Sequence, residues 1–119
     1  MKPRAGAIVL VDWRGALPKE PNKLRPAVVV EDEELFDEAY PNLIVAPLTT
    51  EATLAIADLS TPIDPTPDNG CKARSFIASH LVTTVSKQRV HATQSFVDRD
   101  TITSVRGQIA IALGLRPPG

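Results

Sequence analysis

The sequence predicts a mainly β (α+β) fold, a small twisted β-barrel of short strands with one amphipathic helix packed on it. Three observations predict it. Short runs rich in β-branched residues (AIVLVDW, PAVVVE and NLIVAPLT) recur in the first half of the chain, each too short for a helix. Prolines and glycines, 11 and 6 of them, punctuate the spaces between such runs. Near the C-terminus the apolar period changes, and Ile102, Val105, Ile109, Ala112 and Leu113 recur at helical spacing. Strands first and a helix last, without internal repeats, fit a single domain spanning residues 1–119.

Each element has its own signal. Ala7 to Trp13 reads as the first strand. Arg14 to Leu24 (RGALPKEPNKL), with Gly15, Pro18, Pro21 and Asn22, reads as a long polar loop. Pro26 to Glu31 is the second strand, its proline tolerated as the first residue. Asp32 to Tyr40 forms at most a short helical turn with solvated acids. Asn42 to Thr49 is the third strand, and Pro47 inside it marks an edge or a bulge. Thr50 to Ser60 fits a short strand or one helical turn. Thr61 to Gly70 (TPIDPTPDNG) is a loop with room for a brief strand at Thr61 to Asp64. Ser75 to Ser79 and Leu81 to Ser86 are two more strands, with His80 at a bend between them. Asp98 or Asp100 caps the helix, Gly114 ends it, and Pro117 and Pro118 reinforce the stop.

Composition narrows the function classes. No apolar run approaches the roughly 18 to 20 residues that span a bilayer. The basic start followed by an apolar run reads as a strand and not as a signal peptide, so a cytoplasmic protein without a membrane is expected. The lone Cys71 forms no intrachain disulfide, which suits a reducing compartment. One Cys and two His (His80, His91) do not make an ordinary zinc site, and no acids show a metal-loop spacing, so neither a metal nor a cofactor is expected. The net charge is −1 but unevenly spread. Residues 1 to 60 carry six Lys/Arg against ten Asp/Glu, and residues 61 to 119 carry seven against four. Six of the acids sit in EDEELFDE, Glu31 to Glu38; without that segment the chain would be at +5. This leaves room for a locally basic face toward an anionic ligand.

Four segments, in order and spacing, resemble the MazF/PemK family of toxins. They are AIVLVDW; KLRPAVVVE, in which Arg25 precedes Pro26 and a valine-rich strand; IVAPLTT, in which Thr49 follows a hydrophobic-Pro-Leu step; and the weaker VTTVSKQRV from Val82 to Val90. The resemblance covers about 90 residues and is carried by the combination of segments. Ala52 to Cys71 does not align with the family pattern. Where relatives often carry a polar amide or acid before the late strand, this chain has Ser79 and His80.

The resemblance implies an SH3-like barrel of the MazF/PemK/CcdB type and a metal-independent endoribonuclease (mRNA interferase) that cleaves single-stranded RNA. In that reaction the RNA's own 2′-hydroxyl attacks the adjacent phosphate, leaving a 2′,3′-cyclic phosphate and a 5′-hydroxyl. It needs a proton acceptor, donors that hold the developing charge, and a proton for the leaving oxygen.

The family uses an Arg and a Thr at the positions of Arg25 and Thr49, which makes these two the catalytic candidates. Arg25 offers a planar fork of donors that stays charged; on its own it could equally be a surface ion-pair partner of the acidic segment. Thr49 offers a hydroxyl, or is simply a β-branched strand residue. Three residues are candidate substrate contacts. His80 either contacts a base, serves as an auxiliary acid or base, or is a partly buried histidine bonded to backbone. Glu20 orders the loop, contacts a base edge, or is a solvated loop acid. Ser75 contacts a phosphate or merely starts its strand. Trp13 stacks on a base or anchors the core. Lys19 and Lys23 are loop cations, Cys71 and His91 are read as incidental, and the proton acceptor stays open among Glu20, His80 and a water.

The partners implied are single-stranded RNA, a second copy of the chain in a homodimer, and a cognate MazE-like antitoxin whose acidic C-terminal tail occupies the RNA groove. The helix segment IAIALGL would supply part of the dimer interface or cover its own barrel. Two other readings compete: a noncatalytic protein-binding toxin of the CcdB gyrase-poison type, and an inactive paralogue that binds only antitoxin. The Arg25 and Thr49 pair favours the nuclease.

Overall fold

A computed structural model of the chain describes residues 3–13 and 24–115. In chain order the regular elements are β1 (Ala7–Asp12), β2 (Leu24–Val29), β3 (Asn42–Thr49), β4 (Ser60–Ile63), β5 (Ser75–Ala78), β6 (Thr83–Ser86), β7 (Val90–Phe96) and α1 (Arg99–Ala112). Short 3-10 turns lie at Ala52–Leu54, Ala57–Leu59, Ser79–Leu81 and Lys87–Arg89. The first three strands form an antiparallel meander, with Val9 opposite Ala27 and Val28 opposite Ala46. Their sequences are nearly continuous in apolar residues because both faces of this sheet are covered. On one face Val9, Val11, Ala27, Val29, Leu43 and Val45 cluster with Val85, and Trp13 and Val90 pack against them. On the other, Val28, Val30, Ala46 and Leu48 meet Cys71, Ile77 and the Ile102 and Val105 side chains of α1.

β3 is the hub. One edge pairs with β2; the other pairs first with β6, through Asn42–Val45, and then with β5, through Leu48 and Thr49. β5 and β6 are thus two pieces of one strand line, broken by the Ser79–Leu81 turn opposite Ala46 and Pro47. The bend expected at His80 is this break. Pro47, expected at an edge or bulge, lies instead in the central strand. The N–H and C=O of Ile44 both face β2, where they bond Glu31 Oε1 and the Val30 N–H at 3.0 Å each. By strand alternation the N–H that Pro47 lacks lies on the opposite edge, where the partner line is already interrupted.

β4 pairs with β5, and β7 pairs with the free side of β1, giving the path β4-β5-β3-β2-β1-β7. The bent sheet is barrel-like, but its ladder stays open between β4 and β7. The sequence reading missed β7 altogether. Its residues VHATQSF are polar and mostly exposed, because it is an edge strand and buries little. Its register with β1 shifts between Ala7 and Val9, and at that bulge the Thr93 hydroxyl bonds the Ile8 carbonyl in place of a ladder amide.

Two other expectations change. Asp32–Tyr40 holds no helix; it makes tight turns, with Leu35 N–H bonded to Asp32 O and Tyr40 N–H to Asp37 O. Its preceding acid, Glu31, is buried and not solvated, because its carboxylate continues the β2–β3 ladder by accepting the Ile44 amide. Thr50–Ser60 resolves into two 3-10 turns, and the brief strand expected at Thr61–Asp64 is β4, one residue earlier.

The helix is fixed at three points. Asp98 is its N-cap, accepting the Thr101 amide at 2.8 Å; the Thr101 side chain first, and that amide second, hold the Asp98 carboxyl below its ordinary range. Ile102 and Val105 are buried against the sheet. Arg106 donates from Nε to the Val30 carbonyl at 3.0 Å and from Nη2 to the Glu31 carbonyl at 2.8 Å. Before β1, Gly6 bonds the Val29 carbonyl and accepts the Val97 amide, in a left-handed conformation (φ +92°). A Cβ there would stand 3.1 Å from the Val97 carbonyl oxygen.

Two stability outcomes follow. Gly6→Ala loses about 1–3 kcal/mol to backbone strain, read as a lower denaturant midpoint at unchanged slope. Asp98→Ala lowers Tm by a few degrees. Because the carboxyl's pKa is lowered by folding, the difference from wild type is fully present at neutral pH. It disappears as pH falls through the ordinary carboxylate range and below, which thermal melts across pH would show.

Candidate functional site

At the end of the meander away from Glu31, the apolar columns give way to polar side chains. The β2–β3 ladder has Ala27 opposite Pro47 as its last rung, and the same alignment continued two residues further would set Arg25 opposite Thr49. Directly opposed residues of antiparallel strands share a face, with Cβ atoms roughly 4.5–5.5 Å apart. Arg25 and Thr49 therefore cap the same face that carries Ala27, Val29 and Val45 further along. The next strands continue the row, with Val11 beside Arg25 and Phe76 beside Thr49. Both candidate side chains are half-buried.

They line a cleft of about 430 Å³. One wall is the start of β2 (Leu24, Arg25, Pro26); the floor is the end of β3 and its continuation (Leu48, Thr49, Thr50, Glu51); the far wall is Gly70, Cys71, Lys72, Ala73 and Ser75. The Thr49 Oγ1 accepts the Glu51 amide at 3.0 Å, so its own hydroxyl hydrogen is left to donate elsewhere. Ser75 is buried and donates to the Ala73 carbonyl at 3.0 Å, which spends its proton inside the wall. Burial pushes the Cys71 thiol up, against a smaller opposing effect of its hydrogen bond with Ser75. A neutral, buried thiol is a weak nucleophile, in keeping with an incidental role.

The structure thus brings Arg25, Thr49 and Ser75 to one cleft. His80 does not line it: it sits in the Ser79–Leu81 turn with a buried Nδ1 that has no hydrogen-bond partner among the described residues. Glu20, Lys19 and Lys23 lie outside the described residues. Trp13 packs on the apolar cluster of the meander, which supports its core reading. Glu51 and Lys72 are cleft residues that the sequence did not single out. Glu51 could have been suspected from its place two residues after Thr49; Lys72 could not, because it follows the proline-rich segment with no motif around it.

A larger hollow of about 550 Å³ lies at the other end of β1 and β2. Two of its cations are already engaged: Arg4 faces Glu33 at 3.9 Å, and Arg106 donates to the carbonyls of Val30 and Glu31, just after β2. The smaller cleft is therefore the better candidate. Among the described residues no group of three or more His, Cys, Asp or Glu could hold a metal ion, and no helix is long and apolar enough to cross a membrane.

Comparison with solved structures gives close matches over nearly the whole chain. A mycobacterial endoribonuclease in complex with its cognate antitoxin superposes with a TM-score of 0.73 at 16% identity, covering 98% of this chain and 99% of that one. MazF from Deinococcus radiodurans gives 0.71 at 17% identity, covering 96% and 98%. The Mycobacterium tuberculosis toxin MazF-mt6 gives 0.70 at 16%, covering 92% and 98%. At such identities these likenesses establish the shared fold. No curated protein sequence matches the chain. The family model of PemK-like, MazF-like toxins matches residues 4–113, nearly the full length. The chain belongs to the PemK-like, MazF-like toxins of type II toxin–antitoxin systems.

Proposed function

We propose that this toxin is a sequence-selective endoribonuclease that cleaves single-stranded RNA in the cleft between β2, β3 and the 70–75 wall. The observation that carries the reading is the single cleft that Arg25 and Thr49 line together, at the ends of neighbouring strands. A phosphodiester seated there meets a fixed guanidinium fork and a hydroxyl whose proton is free to donate. The RNA's 2′-oxygen bonds to phosphorus, the bond from phosphorus to the 5′-oxygen breaks, and the products are a 2′,3′-cyclic phosphate and a 5′-hydroxyl. Arg25 and Thr49 hold the charge that grows on the phosphoryl oxygens. Glu51, the carboxylate of the cleft floor, takes the 2′ proton, and the leaving oxygen takes one from water.

The same cleft is where a cognate antitoxin inhibits. Related toxins have been solved with antitoxins, and an acidic tail would place carboxylates where phosphates otherwise lie. A cytoplasmic homodimer completes the reading. The end of α1 supports it, since Ile111, Leu113 and Leu115 are exposed there.

Incubating a long mixed-sequence transcript with the protein in EDTA tests this. Wild type yields discrete fragments with 5′-hydroxyl ends, and Arg25→Ala slows their appearance by about a hundredfold or more, equivalent to about 3 kcal/mol of barrier. Intact RNA with folded wild-type protein would overturn the nuclease reading. Glu51→Gln is expected to lower kcat by about a hundredfold while leaving KM nearly unchanged. An unchanged kcat would remove Glu51 from the role of base.

A further inference from the structure

We propose that Lys72 is a second phosphate-binding cation of this cleft, held over it by a loop that the buried Asn69 side chain clips into shape. The inference rests on the RNA reading above and adds a residue that no sequence motif marked.

Asn69 is 2% exposed, and both its side-chain oxygen and its side-chain nitrogen are engaged. Oδ1 accepts the Thr66 amide at 3.1 Å and the Cys71 amide at 3.0 Å, while Nδ2 donates to the Asp64 carbonyl at 3.0 Å. One side chain therefore ties together three points of the turn that leads from β4 to the cleft wall. Buried amides so satisfied specify a single loop shape. The next residue, Gly70, has φ +74° and sits so close to β1 that a Cβ would meet Leu10 Cδ2 at 2.5 Å. Cys71 then inserts into the helix-side core. The backbone at residues 69–71 is anchored three times in succession, and Lys72 is the next residue, exposed and lining the cleft.

The charges around Lys72 point the same way. Most described cations have intramolecular work: Arg106 and Lys87 bond carbonyls, and Arg74, two residues on, faces Asp64 at 3.8 Å. Among the described residues no acid pairs with Lys72. Among the described residues its ammonium is left for a ligand, and Lys72 lines the same cleft as Arg25. A strand of RNA whose scissile phosphate lies at Arg25 and Thr49 brings a neighbouring phosphate to the far wall. A lysine suits that place, because a compact point charge attracts a phosphate without demanding one orientation or one base. Asn69 is a positioning residue in this scheme, and Lys72 a binding residue.

Salt dependence separates such a contact from a merely structural lysine. A single-stranded RNA oligonucleotide methylated at every 2′-oxygen binds without being cut, and its affinity is measured from low to moderate salt. Lys72→Gln is expected to lower the slope of log affinity against log salt by about 0.7 to 1, and Lys72→Arg to retain the wild-type slope. Two oligonucleotides of unrelated sequence should show the same loss; a loss on only one of them would overturn the phosphate assignment. Asn69→Leu, which removes all three bonds, should mimic Lys72→Gln. An Asn69→Leu protein with the wild-type slope would overturn the clip. Cleavage of an unmodified transcript by the wild type is run in parallel. A wild type that cleaves RNA while Lys72→Gln keeps its salt slope overturns this proposal alone; a wild type that neither binds nor cleaves RNA overturns it together with the nuclease reading.

Discussion

The register between β2 and β3 is the constraint on which the site depends, and it is fixed at the end of the strands far from the site. There the Val30 amide bonds the Ile44 carbonyl, and the Ile44 amide bonds the buried Glu31 carboxylate. Arg106 reaches across from the helix to the carbonyls of Val30 and Glu31. Strand side chains alternate with period two, so a slip of one residue would turn Arg25 to the helix side and bring Val28 and Val30 to the other face. The buried valines on both faces forbid that slip. Arg25 and Thr49 reach one cleft because packing several residues away leaves the two strands no other alignment.

The same arrangement explains why the site is open where it is. β3 is paired on both edges over most of its length, but β5 covers only Leu48 and Thr49 on the distal edge. Beyond Thr49 the chain turns through Thr50 and Glu51, and the 70–75 segment folds over from β4 to form the other wall. The helix covers one face of the sheet and leaves the Arg25 end of the other free. Strands thus carry Arg25 and Thr49 and a clipped loop carries Lys72, a division suited to the proposed site, which would hold an RNA backbone while admitting different bases.

How much of this was legible in the sequence depended on burial. The strands β1, β2 and β3 and the helix α1 could be read directly, since they bury enough apolar surface to leave a pattern. β7 could not, because an edge strand held by backbone pairing and a Thr93 hydroxyl needs no apolar alternation. Pro47 misled for a related reason: a proline is unwelcome in a central strand unless its neighbour is interrupted, and the interruption lies more than thirty residues downstream at Ser79–Leu81. Arg25, Thr49 and Ser75 were legible only through the resemblance, and the fold brings them to one cleft. His80 occupies the break in the strand line and lies outside it. Lys72 carried no local signal, since a lysine in a proline-rich loop acquires meaning only when the loop's destination is known.

The chain's net charge of −1 loses its force as an argument against an anionic ligand once the acids are placed. Six of them follow β2, from Glu31 to Glu38, whereas Arg25 stands near its start. Six residues of strand at about 3.3 Å each put roughly 20 Å between Arg25 and the first of these acids. That is twice the Debye length of about 8–10 Å at physiological salt, so exposed charges at that separation are largely screened. Glu31 itself is buried and committed to the Ile44 amide, and it contributes to the register and not to the field over the cleft. What a phosphate at Arg25 would experience is set by the cleft's own lining, whose charged residues are Arg25, Lys72 and Glu51. A mildly acidic protein can in this way present a locally cationic cleft, and the acids that make its total charge negative are the ones that hold the far end of the sheet and its turns.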